Sequence, residues 1–162
     1  MVSIGMKLNK TKSQFFDRAK VQNAISRRER KVLSRFGAFV RSDARASIRR
    51  RKRPSKPGQG PTNQTGRLKK NIFFVYSHSR RSVIIGPTLL NGSTNAPEIL
   101  EYGGVTTVQT VRTVRQRNGK RKSIRVVKRV HIEPRPYMGP AFEKNKDQKL
   151  PGLWQDAVIG AA

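Results

Sequence analysis

The first third of the chain shows a helical pattern of apolar positions. Between Ser13 and Arg50 the apolar side chains recur at spacings of three, four and seven residues, with Arg and Lys between them. The apolar positions are Val21, Ile25, Val32, Phe36, Phe39, Val40, Ala44 and Ile48. This period predicts one long amphipathic helix, or two helices in series. Gly37 costs a helix about 1 kcal/mol relative to Ala, so we expect a kink there.

A basic, proline-rich segment follows the predicted helix. It begins with five consecutive basic residues, Arg49, Arg50, Arg51, Lys52 and Arg53, and prolines follow at positions 54, 57 and 61. Proline lacks a backbone N–H donor and disfavours helix at the residue before it. We therefore predict a mobile basic loop over residues 49–65.

Two β-rich runs and a short helix come next. Leu68 and residues 72–76 form one run, rich in aromatic and β-branched side chains, and residues 83–85 form the other, which ends at Gly86-Pro87. A polar turn over residues 77–81 joins the runs, so the pattern predicts a hairpin. Pro97 is suited to the first turn of a short helix that ends at Gly103-Gly104.

A second, longer hairpin is predicted over residues 105–132, which we call the arm. Its two β-rich runs are joined by Asn118-Gly119, a pair suited to a two-residue type I′ turn. Each run can extend about 40 Å at roughly 3.3 Å per residue. The nine basic residues of the arm are Arg112, Arg115, Arg117, Lys120, Arg121, Lys122, Arg125, Lys128 and Arg129. The valines are too sparse to bury both faces, so we expect the arm to project from the domain and to be covered by a partner.

The C-terminal part predicts a stiff corner followed by helix. Residues 133–140 are rich in proline and are expected to be extended. Residues 141–148 are typical of a helix with Ala141 and Phe142 facing inward, and residues 153–159 of a last amphipathic turn or two. We expect Trp154 to anchor that last segment in the core rather than to serve an exposed interface.

These elements predict an α+β fold. A small antiparallel sheet would pack against the long N-terminal helix and a C-terminal helix, and the arm would project from it. We interpret residues 1–12 as an N-terminal tail and residues 13–162 as a single domain, which fits the usual domain size. No run approaches the roughly 20 apolar residues that cross a bilayer, so we expect a soluble intracellular protein without a membrane partner.

Charge indicates what this domain binds. The 162 residues include 36 Lys and Arg and only 9 Asp and Glu, a formal net charge of +27. Such an excess predicts an anionic partner, either a nucleic acid or an acidic protein surface. For the basic face between Arg27 and Arg53, contact with a partner and plain hydration remain equally open.

The chain offers little for catalysis. It has no Cys, and its two histidines, His78 and His131, are far apart and are interpreted as polar strand positions. Glu98 and Glu101 share one helix face, where they would bind a cation or, more in keeping with so basic a chain, pair with Arg or Lys. The loop from Gly86 to Gly92 lacks the lysine of a phosphate-binding loop. We expect no enzyme, no metal and no cofactor, and a nuclease is the third-ranked function.

Four short motifs follow one another in a characteristic order. They are Pro61-Thr-Asn-Gln-Thr-Gly-Arg-Leu-Lys-Lys-Asn-Ile72, Ile85-Gly-Pro87, Ala96-Pro-Glu-Ile-Leu-Glu-Tyr-Gly-Gly104 and Pro134-Arg-Pro-Tyr-Met-Gly-Pro-Ala-Phe-Glu143. Across residues 21–159 this succession resembles the tail-completion, or head-to-tail joining, proteins of long-tailed bacteriophages, the minor tail protein Z-like or neck proteins. The residues that carry the resemblance are Thr65, Gly66, Leu68, Ile72, Glu101, Tyr102, Gly103, Pro136, Tyr137, Met138, Pro140 and Ala141. Asn71 stands where the family often has serine, and the arm is unusually basic.

The resemblance implies a structural virion protein that acts by binding. It implies a ring, commonly sixfold, at the neck of the virion, where the top of the tail meets the portal connector. The expected partners are further copies of the chain, the connector or adaptor, and the tail terminator or tail tube proteins. Assembly would take place in the host cytoplasm. The motif residues would build the scaffold, because none of them is a reactive group.

The size of the charge limits the role of DNA in the channel. Six copies would carry 6 × 27 = 162 positive charges, and duplex DNA has one negative charge per roughly 1.7 Å, so neutralising all of them needs about 275 Å of duplex. A neck ring is far thinner than that. Most of the charge is therefore expected to face acidic surfaces of adjoining proteins, with genomic DNA as a secondary partner. The basic residues of the arm and residues 49–53 of the loop would make these contacts with neighbouring copies, acidic partner rings or DNA.

A second function class stays open. A free nucleic-acid-binding protein, of ribosomal or chromatin type, would grip phosphates with its basic helix and hairpin and would explain the charge equally well. It would not explain the glycine and proline motifs. The arm also has no aromatic residue of the kind that stacks on single-stranded bases.

Overall fold

A computed structural model describes residues 18–63, 65–88, 95–115 and 119–159, with the backbone alone at positions 122, 158 and 159. The helices are α1 (Arg18–Ser47), α2 (Arg67–Lys70), α3 (Ala96–Tyr102), α4 (Met138–Gln148) and α5 (Leu150–Ile159). The strands are β1 (Ile72–Ser77), β2 (Ser82–Pro87), β3 (Gly104–Arg115) and β4 (Arg121–Ile132). They form two antiparallel hairpins, β1–β2 and β3–β4, so the predicted α+β fold is confirmed. No helix in these ranges is long and apolar enough to cross a membrane.

The long helix α1 is the element on which the others pack. It runs continuously through Gly37, where the sequence had suggested a kink. A Cβ atom at this position would lie 2.9 Å from Cδ2 of Phe74 and 2.9 Å from Cγ2 of Val83. Glycine is therefore needed there because the β1–β2 hairpin approaches the helix backbone so closely.

The core lies along the C-terminal half of α1. Its buried residues are Phe36, Val40, Ala44, Ile48, Ile72, Tyr137 and Ala141. By contrast, Val21 and Ile25 in the N-terminal half of α1 are 40% and 53% exposed. The apolar stripe predicted from the sequence is thus covered only in part by the described residues.

The first hairpin is confirmed, with one correction at its start. β1 pairs with β2 from Ile72 opposite Pro87 onward. Leu68 lies in α2, a single helical turn, and not in the strand as predicted. Gly66 starts this turn with a φ of 79°, and its N–H donates to Oδ1 of Asn63 at 2.7 Å. The hydrogen bond from Gly66 to the Asn63 side chain therefore stabilises a helical turn at residues 67–70, although the neighbouring composition favours a strand.

The two C-terminal helices pack against α1. α4 begins at Met138, three residues before the predicted start. Ala141 is buried as predicted, whereas Phe142 is partly exposed and packs edge-on against the ring of Phe36. The prediction for Trp154 is wrong, because its side chain is 40% exposed and Leu153 packs against the core instead.

Candidate interaction surface

The register of the arm differs by one residue from the prediction. The last described pair of the ladder is Arg115 opposite Arg121. A two-residue turn at Asn118-Gly119 would have placed Arg115 opposite Lys122 instead. Residues 116–118, which include Asn118 of the predicted turn, lie outside the described residues, and Gly119 has a φ of 77°, which favours glycine. Because side chains alternate between the two faces of a strand, this shift decides which residues share a face.

The register gathers four arginines on one face of the arm. Residues directly opposite one another share a face, as does every second residue along a strand. Arg115, Arg121, Arg125 and Arg129 therefore project from the same side, which we call the arginine face. All four are exposed, and no acidic side chain of the described chain forms an ion pair with them. Val105, Val111 and Val127 lie on the same face.

The opposite face of the arm carries more apolar residues than the arginine face, and we call it the apolar face. Its apolar residues are Val108, Val114, Ile124, Val126, Val130 and Ile132, with Arg112 and Lys128 among them. Val108, Val114 and Val130 are 39%, 39% and 40% exposed. At the base of the arm an open groove of about 700 Å³ lies beside α3. Six of the nine basic residues predicted for the arm are thus divided between two faces of different character, four on the arginine face and two on the apolar face.

Not all nine are described by the structure. Arg117 lies outside the described residues, and at Lys122 only the backbone is described. Lys120 is exposed next to the connection between the strands.

Glu101 ties the base of the arm to the start of α4. Its Oε2 accepts hydrogen bonds from the backbone N–H groups of Tyr137 at 2.9 Å and Met138 at 3.0 Å. Its Oε1 accepts one from the N–H of Gly139 at 2.7 Å. The first amides of a helix lack partners within it, and a carboxylate there also interacts favourably with the helix dipole. The expectation that Glu101 pairs with Arg or Lys is therefore wrong, because backbone amides take its oxygens.

Gly103 completes this joint. It has a φ of 77°, and a Cβ atom there would lie 3.0 Å from Cδ of Pro134 and 3.1 Å from the carbonyl oxygen of Ile132. The N–H of Arg135 donates to the carbonyl of Leu100 at 2.7 Å. The end of α3, the base of the arm and the proline-rich corner are thus held together within a few residues.

The basic loop, which the sequence predicts to be mobile, makes hydrogen bonds with the rest of the domain. The N–H of Gly58 donates to the carbonyl of Pro134 at 2.9 Å. Nε of Arg135 donates to the carbonyl of Ser55, a buried residue, at 3.0 Å. The backbone of the proline-rich segment thus finds partners in the corner at residues 134–135. The side chains of residues 49–53 remain exposed.

The residues that carry the resemblance divide into buried and exposed groups. Ile72, Tyr137 and Ala141 belong to the core, and Leu68 and Met138 pack against it. Pro136 is half-buried. Thr65, Tyr102 and Pro140 are exposed, Tyr102 at 80%. Most of these residues thus serve the scaffold, while Tyr102 presents an aromatic ring at the surface beside the arm.

The pKa values of two side chains, Asp43 and Tyr137, are shifted by their surroundings. Burial raises the pKa of Asp43, but hydrogen bonds from Asn145 at 2.8 Å and from Lys144 at 3.1 Å outweigh it and lower the pKa below 3.8. This link joins α1 to α4. Burial, and secondarily the charge of Glu101, raises the pKa of Tyr137 well above its ordinary 10.0, so this phenol stays neutral.

The other His, Asp and Glu side chains of the described ranges do not form a metal-binding cluster. Within the described ranges, no three His, Asp or Glu side chains lie close enough together to hold a metal ion. His131 lies 3.4 Å from Glu133, and the ring of His78 packs edge-on near Tyr76. Glu98 is exposed.

Two features of the surface were not predicted. Arg41 and Arg45 extend from α1 over the ring of Phe73, with guanidinium carbons 5.7 Å and 5.9 Å from its centre. Both also donate to the carbonyl of Ile72, at 3.1 Å and 2.9 Å. Their spacing of four residues on one helix face was a usable signal. The apolar face of the arm is the second feature, and it depends on the register.

No protein-family model matches this chain, and neither a curated protein nor a solved structure shows significant similarity to it. Its function is therefore inferred from its own residues and geometry.

Proposed function

We propose that this chain is a structural virion protein of a tailed bacteriophage. It forms a ring at the head–tail junction, completes the tail and joins it to the portal connector around the exit channel of the genome. The ring is sixfold, and the protein acts by binding, without catalysis. Its neighbours are further copies of itself, the connector or adaptor above and the tail terminator or tail tube below.

The observation that carries the proposal is the set of three hydrogen bonds to Glu101. The segment 96–104 and the segment 134–143 are two of the motifs behind the resemblance, and the arm separates them in sequence. Glu101 of the first bonds the backbone of Tyr137, Met138 and Gly139 in the second. The motif residues thus have a common structural purpose, which is the role that the resemblance assigns to them.

The arm supports an assembly role. Its apolar face leaves Val108, Val114, Ile124 and Val130 about two-fifths exposed, and exposed apolar side chains gathered on one face favour an interface. A ring needs two different, complementary patches on each subunit. The apolar face supplies one of them and contacts the neighbouring copy.

The decisive experiment combines assembly with complementation. The purified full chain is examined by native mass spectrometry and electron microscopy, and the gene is deleted from the phage that encodes it. We expect closed rings of one fixed size, and lysates of the deletion that contain separate heads and tails which the purified protein joins. A chain that stays monomeric at high concentration, with virions still joined in its absence, contradicts the proposal.

A free nucleic-acid-binding protein is the second candidate, and the arginine face favours it. Four exposed arginines without acidic partners are the footprint of a phosphate-binding surface. The two functions separate in the same experiment, because the second predicts a monomer that binds nucleic acid tightly while virion assembly proceeds without it.

A further inference from the structure

The end of the arm places like charges against each other. Arg115 lies directly opposite Arg121 in the ladder, and both side chains are exposed on the arginine face. Like charges directly opposite one another destabilise a two-stranded ribbon. Neither has an acidic partner within the described chain, so a bound external anion would relieve the repulsion.

The arginines continue along the ribbon at a regular interval. Arg121, Arg125 and Arg129 follow one another at every fourth residue of β4, which corresponds to about 13 Å per step. The charges are spread along the length of β4 and are not clustered at one end of the ribbon. Protein interfaces are depleted of charge at their centre, so this distribution suits a polyanion better than a protein surface.

We propose that the arginine face binds the phosphates of duplex DNA, without regard to base sequence. A two-stranded β-ribbon has the width that the major groove of B-DNA admits, and arginine is well suited to phosphate oxygens. Thr107, Gln109, Thr113 and Ser123 lie on the same face and add hydrogen-bonding groups between the arginines. The arm has no aromatic side chain, which argues against stacking on the bases of a single strand.

The amount of charge also fits a duplex, and this step rests on the proposed sixfold ring. Four arginines on each of six copies give 24 charges, which match about 41 Å of duplex at one charge per roughly 1.7 Å. Each strand of the arm has 12 residues and extends about 40 Å. The total charge of six copies is far more than the DNA in the channel can neutralise. The charge of the six arginine faces alone, however, equals that of a duplex about as long as one arm.

The test measures how DNA affinity depends on salt. The full-length chain is titrated onto a fluorescently labelled duplex of mixed sequence, about 30 base pairs long, at several NaCl concentrations. The first variant changes Arg115, Arg121, Arg125 and Arg129 to Gln. The matched control changes Arg50, Arg51, Lys52 and Arg53 of the basic loop to Gln, and so removes the same formal charge from another exposed segment.

We expect the first variant to lose about 3 to 4 units from the slope of log Kobs against log salt, since each phosphate contact contributes about 0.9. The control should lose less than about 1 unit. Arg125→Gln alone should lose about 1 unit, which keeps the test valid if the fourfold variant does not fold. Equal losses in arm and loop variants would show general attraction to the net charge and would overturn the proposal.

Two further outcomes are informative. If the arm variant binds DNA as the wild type does but no longer joins heads to tails, the arginine face contacts protein and the DNA proposal is wrong. Ring formation is measured on the same samples by native mass spectrometry. If rings form but the arm variant shows the same salt dependence of DNA binding as the wild type, only the DNA proposal is wrong. If no rings form but the arm variant loses salt dependence as expected, only the proposed function is wrong.

Discussion

Glu101 accepts a hydrogen bond from the backbone N–H of Gly139 at 2.7 Å, although 38 positions separate the two residues in the chain. The arm is the intervening segment, so this contact closes the loop from which the arm emerges. The direction of the arm relative to the helical core therefore depends on a carboxylate at a helix N-terminus. Removing that carboxylate is expected to affect both stability and the position of the arm.

Glu101→Ala should lower the free energy of unfolding by about 2 kcal/mol, because three backbone amides lose a charged acceptor. Glu101→Gln keeps one carbonyl oxygen and should cost about half as much. Glu98→Ala, on the same helix but exposed, is the matched control and should stay within about 0.5 kcal/mol of the wild type. Urea unfolding followed by circular dichroism measures all three. Equal stability of the Glu98 and Glu101 variants would contradict the role given to Glu101.

Gly37→Ala should destabilise the protein even though alanine is the better helix former. The gain of about 1 kcal/mol in helix propensity is outweighed by contacts of 2.9 Å with Phe74 and Val83, so we expect a net loss of about 1 kcal/mol or more. Gly152→Ala in α5 is the control, since a Cβ there meets nothing within 4 Å. That variant should gain about 0.5 to 1 kcal/mol in the same unfolding assay. Similar changes in unfolding free energy from both substitutions would mean that the contacts of position 37 with Phe74 and Val83 do not exclude alanine.

The helices and strands could largely be predicted because their signals are local. The apolar period of α1 and the β-rich runs of both hairpins reflect residues that are close in sequence. The sequence marks Gly37 as an unusual position in the helix but predicts a kink there. The actual reason for glycine is the close approach of Phe74, a contact across 37 positions that no local pattern reveals. The same limit applies to Leu68, where the turn at Gly66 prevails over the β-rich composition.

The interaction surface was harder to predict because it depends on the register. The nine basic residues of the arm were identified from composition, but their division into faces follows from the pairing of Arg115 with Arg121. The Asn118-Gly119 signal predicted a pairing one residue away, which would have put different residues together. The anchoring of the basic loop to Pro134 also joins segments that are more than 70 residues apart.

Asp43→Asn should reduce the loss of stability on acidification. The pKa of Asp43 is lower in the folded protein than its ordinary 3.8, so its contribution is fully present above that value and disappears as the pH falls through the folded pKa. Unfolding curves measured between about pH 6 and pH 2 should be less steep with pH in the variant. Asp147→Asn, which removes an exposed carboxylate from α4, is the control and should follow the wild type. Identical pH profiles for the wild type and Asp43→Asn would contradict the stabilising link.

Val130→Asp and Val127→Asp distinguish the two faces of the arm in assembly. Both residues lie in β4 and are exposed, at 40% and 59%, but Val130 is on the apolar face and Val127 on the arginine face. Each substitution should change the stability of the isolated subunit by less than about 1 kcal/mol. Because a buried, unpaired carboxylate is strongly unfavourable, Val130→Asp should disrupt ring formation, with the loss visible by native mass spectrometry. Val127→Asp should leave the ring intact. If Val127→Asp dissociates the ring and Val130→Asp does not, the subunit contact is on the arginine face, and the assignment of the two faces must be reversed.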